Sequence, residues 1–575
     1  MPDDSHLRDD LRLFVTNLWP LVGGLAVLAA GWGVLWSLTN RLWLGAMVAL
    51  PVSVALALAN AAKLAMLNVP ILPTDLYRIG DLATIYDRSF ESFGGAGKFA
   101  VLALPAAAAL LGLLFLPRAP MRWPMRLGLG LIGAAFFASL FGARTSPFAH
   151  MPQTYPKYNW DIRRTYDENG FAACLAMHCR FLSVQPPEGY SADAIRKIVR
   201  ALPPASQPAG DLRPNVIVIL SESFWDATRF PGVEFGTDPV PTFHQLQREF
   251  GSLDVVSPTF GGLTCNAEFE VLTGFNMAFF PQSMEAYVDY VRRPVPSLAW
   301  MLRGRGYQTI TLHALGGVHN DAQVQPLLGF ERCVTGAEWS HRDTVGPWIA
   351  DDAATSEIIE RTGQLRPPYF VCVNTIEGHT PYDNEKYGPS GGDIRFTKPL
   401  SGEARDIVRN YSRGLHNADL ALKRLIDHFR DAKDPVLIVF YGDHLPILGD
   451  DLKVYRETGM CFEGQDSRSL PMRRMQAVIW NNYGRRLSPP SGLISMNQML
   501  PILLDLTDTP QPAHVRLLGQ IARRWPVVGT SGCVDDSGKT APLDTLDGDV
   551  LLRNWRLMQY DLLFGNQQFL KNPER

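Results

Sequence analysis

The sequence predicts a two-part protein, with a multi-pass α-helical membrane domain in residues 1–144 and an α/β domain with a mostly parallel central sheet in residues 211–575. Long apolar runs that carry almost no charge predict the first part. Short β-branched runs that alternate with helical patterns, such as NVIVIL, YFVCVN and PVLIVFY, predict the second. Residues 145–210 combine a partly amphipathic helical segment with a tract rich in proline, glycine and serine, so we expect a connector and linker there.

Four apolar runs predict about four membrane-spanning helices, over residues 13–38, 42–66, 99–117 and 127–143. Each run approaches the roughly 20 residues that a helix needs to cross a bilayer. Buried helices of a soluble protein remain the alternative, particularly for the two shorter runs. A cleavable signal peptide is disfavoured, because the first run is too long and follows an acidic leader.

Arginine placement predicts the orientation of these helices. The loop PRAPMRWPMR carries Arg118, Arg122 and Arg126 and no acidic residue, which favours the cytoplasmic side. The fourth helix then leads outward, so everything after about Arg144 is expected outside the cytoplasm. The same argument places the N-terminus outside, unless part of residues 67–98 spans or re-enters the membrane.

The charge balance gives no sign of a nucleic-acid partner. The chain has 54 Lys and Arg against 57 Asp and Glu, so it lacks a basic footprint. Its seven cysteines are an odd number, which would leave at least one unpaired in an oxidising compartment. Cys174 and Cys179 fit no strong zinc-binding pattern, and we expect packing or a local disulfide there.

Polar residues follow two of the predicted strands directly. Glu222 comes just after NVIVIL, and Asp443 and His444 come just after PVLIVFYG. Sites in parallel α/β sheets lie at the carboxyl ends of strands. Carboxylates and an imidazole suit Mn²⁺ or Zn²⁺, although each residue could also simply end its strand.

Thr264 is the candidate nucleophile. It follows a glycine pair in GGLTCNAEFEVLTG and precedes a helical pattern. Backbone N–H groups at a helix N-terminus favour a phosphate, and a divalent cation bound to the threonine oxygen would lower the pKa of the hydroxyl. The alternative is that Thr264 is an ordinary helix N-cap.

These segments together resemble the lipoteichoic acid synthase family, within the alkaline phosphatase and sulfatase superfamily. The matching segments are NVIVILSESFWD, GGLTCNAEFEVLTG, NTIEGHTPY, FYGDHLP, ILPTDLYRIGDL and MQYDLLFGNQQF, which span nearly the whole chain. The resemblance implies an alkaline-phosphatase-like (sulfatase) domain with one divalent cation, Mn²⁺ first, with Mg²⁺ or Zn²⁺ as substitutes. It implies that the cation is bound by Glu222, Thr264, Asp443 and His444, and that Thr264 becomes phosphoglycerylated.

The resemblance also implies a substrate pocket. His379 in EGHTPY and His313 in TLHALGG match pocket histidines of the family, although each could instead be a buried, satisfied side chain. Where the family has a Trp-Asn-Arg-Asp element, this chain has VHND, ending in His319, Asn320 and Asp321, and we take Asp321 as the substrate-binding candidate. The missing tryptophan and arginine leave the acceptor and the headgroup open.

The function implied by the resemblance is transfer of glycerol phosphate from phosphatidylglycerol to an envelope glycan or polymer, at a bacterial inner membrane with the catalytic domain periplasmic. A phosphoethanolamine transferase would share the fold, metal and threonine. A phosphatase- or sulfatase-type hydrolase is less favoured, because Cys265 beside Thr264 lacks the C-x-P-x-R pattern of sulfatases.

Overall fold

The computed structural model describes residues 18–67, 70–73, 75, 107–140, 166, 170–179, 184–204, 210–280, 284–315, 321–388, 393–462, 465, 467, 469–487, 492–529, 532–546 and 548–571. The chain divides into two compact units, with the division between residues 185 and 186. This division lies inside the predicted connector.

The first unit is helical. Its helices are α1 (Leu18–Thr39), α2 (Leu44–Leu67), α3 (107–115), α4 (Trp123–Ser139) and α5 (Phe171–His178). Within the described residues, two segments are long and apolar enough to cross a membrane, Val22–Thr39 and Leu44–Ala61, with mean hydropathies of 1.6 and 1.9. The third predicted span is described only in part, since residues 99–106 lie outside the described residues, and the fourth corresponds to α4, which has 17 residues. The structure therefore supports two of the four predicted spans.

Small residues let α1 and α4 pack closely. A Cβ on Gly133 of α4 would lie 2.4 Å from Val34 Cγ2, and one on Gly130 would lie 3.0 Å from Ser37 Oγ. Small residues at such contacts are typical of helix pairs in membranes, where close backbone approach supplies packing energy.

The two arginine-containing loops of this unit lie together. Arg126 Nε donates a hydrogen bond to the carbonyl of Ser37 at 2.8 Å, and the Ala119 N–H donates to the carbonyl of Asn40 at 2.6 Å. The turn at Arg41 and the loop with Arg118 are thus at the same end of the helix pair. This is the arrangement expected if both are on the cytoplasmic side.

The second unit contains all the strands of the described residues. They are β1 (Asn215–Ser221), β2 (Val233–Phe235), β3 (Ser252–Val256), β4 (Gln308–His313), β5 (Arg332–Thr335), β6 (Thr344–Val345), β7 (Trp348–Ile349), β8 (Tyr369–Asn374), β9 (Ile394–Phe396), β10 (Val436–Gly442), β11 (Arg474–Asn481), β12 (Leu493–Ser495), β13 (Val527–Gly529), β14 (Gly532–Val534) and β15 (Thr540–Ala541). The central sheet has the order β12-β3-β11-β10-β1-β8-β4-β5. All its strand pairs are parallel except the two made by β11, which confirms the predicted mostly parallel sheet.

Helices surround this sheet. They are α6 (Ala192–Ala201), α7 (Pro241–Phe250), α8 (Thr264–Thr273), α9 (Leu298–Arg303), α10 (Asp321–Val324), α11 (Asp351–Gly363), α12 (Asn384–Tyr387), α13 (Gly402–Phe429), α14 (Lys453–Thr458), α15 (Met499–Leu506), α16 (Ala513–Arg524), α17 (Val550–Leu563) and α18 (Gln568–Lys571). Several begin at side-chain caps that the sequence marks, among them Ser191, Ser297, Ser401 and Asp549. Every residue of β1, β8 and β10 is buried, so these three strands form the middle of the core.

The strand register aligns one edge of the sheet. Ser221 at the end of β1 pairs with Gly442 at the end of β10, and Asn374 at the end of β8 pairs with both Leu220 and His313. Four neighbouring parallel strands therefore end together. The residues that follow them converge there, although they are far apart in the sequence.

Cys174 belongs to a buried cluster of the first unit, and Cys179 packs against that cluster. This is the packing that was one of the two expectations for them.

Candidate metal and nucleophile site

Glu222, Asp443 and His444 form one compact group at this edge. Their candidate ligand atoms all lie within 4.8 Å of one another. All three side chains are buried, with exposed fractions of 5%, 0% and 2%. The structure thus brings together the three strand-end residues that the sequence indicated.

A strained turn places Glu222. Ser223, the next residue, has a φ of 54°, a left-handed conformation that is uncommon for serine and is often held in place at functional sites. Its N–H donates to Asp443 Oδ1 and its hydroxyl to Glu222 Oε1, both at 2.8 Å. The Tyr411 hydroxyl donates to the carbonyl of Ser223 at 2.9 Å. Ser223 therefore joins the two carboxylates and fixes their separation.

Two glycines allow this turn to sit between the strand ends. A Cβ on Gly378 would lie 1.9 Å from the carbonyl oxygen of Glu222, and one on Gly442 would lie 1.9 Å from that of Phe224. No other residue could fit at either position without moving backbone.

Asp443 and His444 present two lone pairs to each other. His444 Nδ1 lies 3.1 Å from the carbonyl of Leu445, so we assign its proton to Nδ1 and a lone pair to Nε2. Nε2 lies 3.1 Å from Asp443 Oδ2, which satisfies an ion-pair distance, yet neither buried atom has a hydrogen-bond partner among the described residues. The two facing atoms, His444 Nε2 and Asp443 Oδ2, are both acceptors in this assignment, and two acceptors repel each other unless a cation lies between them. Buried groups left in this state point to an ion that they would bind.

The pKa of Glu222 also indicates that this group has too little positive charge nearby. Burial, and then the negative charge of Asp443, raise the pKa of Glu222 to about 7. His444 and the hydrogen bonds from Ser223 and Thr264 act in the opposite direction. A bound divalent cation would favour the ionised carboxylate.

Thr264 faces this group from the start of α8. Its Oγ1 donates to Glu222 Oε2 at 3.2 Å, and its side chain is half-buried where the other three are buried. The helix N-cap is Leu263, with a φ of 60°, and the two preceding glycines also have positive φ. Thr264 is therefore not an ordinary N-cap, and its hydroxyl points to the carboxylates at the accessible side of the group.

Polar anchors fix α8 in the core. Glu268, one turn after Thr264, accepts a hydrogen bond from Asn374 Nδ2 at 2.8 Å, at the end of β8. Asn266 donates to the carbonyl of Met284 and accepts from the Ala286 N–H, both at 2.8 Å. These contacts hold the start of the helix at the sheet edge.

His379 lies in the turn after β8, and His313 lies at the end of the neighbouring strand β4. His379 follows β8, and its ring packs edge-on against Trp348 with centroids 4.9 Å apart. Burial lowers the pKa of His379, while the charge of Asp443 raises it. His313 ends β4 and is buried beside Asn374.

The third predicted pocket element cannot be placed in the same way. His319 and Asn320 lie outside the described residues, and so does the side chain of Asp321, whose backbone begins α10.

Sequence reasoning missed Lys386 and Trp348, which support the His379 turn. Lys386 Nζ is buried and donates to the carbonyls of Glu377 and His379, on either side of Gly378. Trp348 Nε1 donates to the carbonyl of Thr380 at 2.7 Å. Neither residue stands in a segment with a local signal, since Lys386 is in a short helix and Trp348 in a two-residue strand.

Residues 214–509 match the family model described as Sulfatase, and this region contains every residue of the group. The chain belongs to the sulfatase family. The sulfatase superfamily predicted from the motifs is thereby confirmed, together with the α/β domain that it implies.

Three known proteins are similar to this sulfatase-family chain. A candidate cyclic β-1,2-glucan modification protein of Rhizobium meliloti (strain 1021) is 31% identical over 547 residues, covering 91% of this chain and 82% of that protein. The Streptococcus pyogenes phosphoglycerol transferase GacH, solved with sn-glycerol-1-phosphate, has a TM-score of 0.54 and 20% identity, covering 68% of this chain and 98% of that one. The lipoteichoic acid synthase LtaP from Listeria monocytogenes has a TM-score of 0.47 and 17% identity, covering 67% and 99%.

Proposed function

We propose that this protein is a membrane-anchored, metal-dependent transferase that moves glycerol phosphate from phosphatidylglycerol to a glycan of the bacterial envelope. One observation carries the proposal: a half-buried hydroxyl, Thr264 Oγ1, lies 3.2 Å from Glu222 Oε2, beside two buried atoms of Asp443 and His444 that have no hydrogen-bond partner among the described residues. This arrangement combines a nucleophile with a set of candidate metal ligands.

The ligand set fits a divalent cation. Glu222, Asp443 and His444 offer two carboxylates and a neutral imidazole, and Thr264 Oγ1 is next to them. Mn²⁺ is the first choice from the family resemblance, with Mg²⁺ or Zn²⁺ as substitutes. The cation would lower the pKa of the Thr264 hydroxyl and offset charge on the phosphate that is being transferred.

The chain's own residues define two displacements at phosphorus. Thr264 Oγ1 forms a bond to the phosphorus of the lipid headgroup, the bond to the diacylglycerol oxygen breaks, and diacylglycerol leaves with a proton. An acceptor hydroxyl then attacks the phospho-threonine and returns Thr264 to its free form. Glu222 orients the threonine oxygen, and we assign His379, His313 and Asp321 to the substrate pocket.

A glycan is the acceptor class that we favour. Support comes from the relative that is 31% identical, because that protein is described as modifying a cyclic β-1,2-glucan. The glycerol headgroup rests on the motif resemblance alone.

Membrane anchoring by residues 1–144, with residues 145–210 as connector and residues 211–575 as the extracytoplasmic catalytic domain, is part of the proposal. Two apolar helices and the shared position of the arginine loops support it. Cysteines introduced near Arg122 should resist membrane-impermeant thiol reagents in intact cells, whereas cysteines near Ser206 should react once the outer envelope is permeable. The reverse labelling would exclude an outward-facing catalytic domain.

Replacement of the nucleophile tests the mechanism. Thr264→Ala should reduce transfer by several orders of magnitude, as loss of other covalent nucleophiles does, and leave the fold intact. Thr264→Ser, which keeps a hydroxyl, is the matched control and should retain activity. Near-normal turnover by Thr264→Ala with full metal content would exclude the covalent mechanism.

Mass spectrometry of lipid and glycan fractions identifies the transferred group. Cells with the protein should contain glycan that carries glycerol phosphate, and cells with Thr264→Ala should not. Ethanolamine phosphate on the glycan would instead identify a phosphoethanolamine transferase.

A further inference from the structure

We propose that Phe260, Ile447 and Phe462 form an apolar rim beside Thr264, and that this rim contacts the acyl chains of the lipid donor at the bilayer surface. This inference rests on the proposed function and extends it, since it names the part of the chain that recognises the donor as a lipid.

Ile447 lies over the loop that carries the nucleophile. The Gly261 N–H donates to the carbonyl of Leu445 at 3.0 Å, so the loop before α8 is tied to the segment after His444. A Cβ on Gly261 would meet Ile447 Cγ1 at 2.5 Å, which places the isoleucine directly on the backbone three residues before Thr264. Ile447 is nevertheless 38% exposed.

Tyr455 connects Phe260 and Phe462 to the segment that contains Ile447. The ring of Phe260, which is half-buried, packs edge-on against Tyr455 with centroids 5.9 Å apart. The Tyr455 hydroxyl donates to the carbonyl of Pro446 at 2.6 Å, next to Ile447. The Cys461 N–H donates to the carbonyl of Tyr455 at 3.0 Å, and the following residue, Phe462, is 64% exposed.

The position of the rim beside Thr264 favours the acyl chains of the lipid donor as the group that it contacts. A phosphate attacked by Thr264 is joined through one glycerol to two acyl chains, so apolar surface next to the nucleophile meets the apolar end of the donor. Partly exposed aromatic and aliphatic side chains are also the types that insert at a bilayer surface. Leu420, another exposed large apolar residue of this unit, lies instead on the long helix α13.

Selectivity between two donors tests the rim. Full-length protein in lipid vesicles is assayed with dioleoyl phosphatidylglycerol and with a soluble p-nitrophenyl ester of glycerol phosphate, which offers the same headgroup without acyl chains. The double variant Ile447→Ser with Phe462→Ser should lower the ratio of kcat/KM for the lipid to kcat/KM for the soluble ester at least tenfold. Leu420→Ser is the matched control and should keep the wild-type ratio, because Leu420 is 48% exposed, a value between those of Ile447 and Phe462.

Each outcome decides the matter. The proposal that the rim contacts the acyl chains would be overturned if the ratio of the two kcat/KM values is unchanged in the double variant. It would also be overturned if Leu420→Ser changes this ratio by as much as the double variant does. Metal content equal to that of the wild type checks that the variants are folded. If the wild-type protein with its metal bound cleaves neither donor, the proposed function itself fails, and the rim fails with it.

Discussion

Two clusters in the described residues contain the same ingredients, two carboxylates and one imidazole with candidate ligand atoms within 4.8 Å of one another. One is Glu222, Asp443 and His444, and the other is His341, Glu357 and Glu360. The first is buried throughout, whereas in the second only Glu357 is buried.

Hydrogen bonding separates the two clusters. Glu357 accepts from Arg361 Nε at 2.7 Å and from the N–H groups of Ser340 and His341 at 2.8 and 3.2 Å, and His341 Nε2 lies 3.1 Å from Glu360 Oε2. A cation would have to displace these partners. In the first cluster, by contrast, Asp443 Oδ2 and His444 Nε2 have no hydrogen-bond partner among the described residues, so composition and proximity alone do not make a metal site.

The largest expected difference is in metal content. We expect one bound cation per chain in the wild type. His444→Ala should remove most of this metal and most of the transfer activity, whereas His341→Ala should change neither. Elemental analysis of the purified proteins measures both. Equal metal in wild type and His444→Ala would mean that Asp443 and His444 only end a strand.

The pH dependence of metal binding should sharpen this contrast. The pKa of Glu222 is raised to about 7, so below that pH a cation must displace a proton, and above it the carboxylate is already ionised. Metal affinity should therefore fall as the pH drops below about 7, as measured by titration with Mn²⁺. Asp443→Asn should weaken binding even at high pH, because the amide is uncharged. The titration should cover about pH 5 to pH 8, a range that lies about 1–2 units on either side of the pKa of Glu222. A constant Mn²⁺ affinity over this range would contradict the ligand assignment.

The second cluster should matter for stability alone. Glu357→Gln keeps the shape but loses the charge that pairs with Arg361, and it turns an N–H donor towards backbone N–H groups. We expect a loss of about 1–3 kcal/mol in the free energy of unfolding, with unchanged metal content. Glu360→Gln, at a half-exposed position, is the control and should cost less than about 1 kcal/mol. Thermal unfolding compares the two.

Glu270, another buried carboxylate, avoids a buried charge in a different way, by holding a proton. Burial raises the pKa of Glu270 to about 8 from its usual 4.5, against hydrogen bonds from Met277 and Asn497. The native state thus holds a proton that the unfolded state releases. Its stabilising contribution is full below pH 4.5 and is lost as the pH rises through 8.

Glu270→Gln removes this titration. The variant should unfold at a higher temperature than the wild type above pH 8 and lose the corresponding slope between the two pKa values. An identical pH profile in both proteins would show that Glu270 is ionised in the native state.

Local patterns in the sequence determined a large part of this protein. Apolar runs that end in polar residues predicted β1 and β10 and the importance of Glu222, Asp443 and His444, and a glycine pair before a helical pattern predicted the start of α8 at Thr264. The sulfatase family followed from the same segments. Such features are readable because each depends on residues close together in the chain.

Tertiary structure alone decided how these residues meet. Ser223 donates to Asp443 across 220 positions of sequence, and only the strand order β10-β1-β8-β4 brings the two together. Lys386 carries no local signal, since its role comes from carbonyls that the turn exposes, and the backbone contact of Gly378 with Glu222 is visible only in the structure. The His341 cluster and the His444 cluster differ mainly in their surroundings, because hydrogen-bond partners and burial are set by distant parts of the chain.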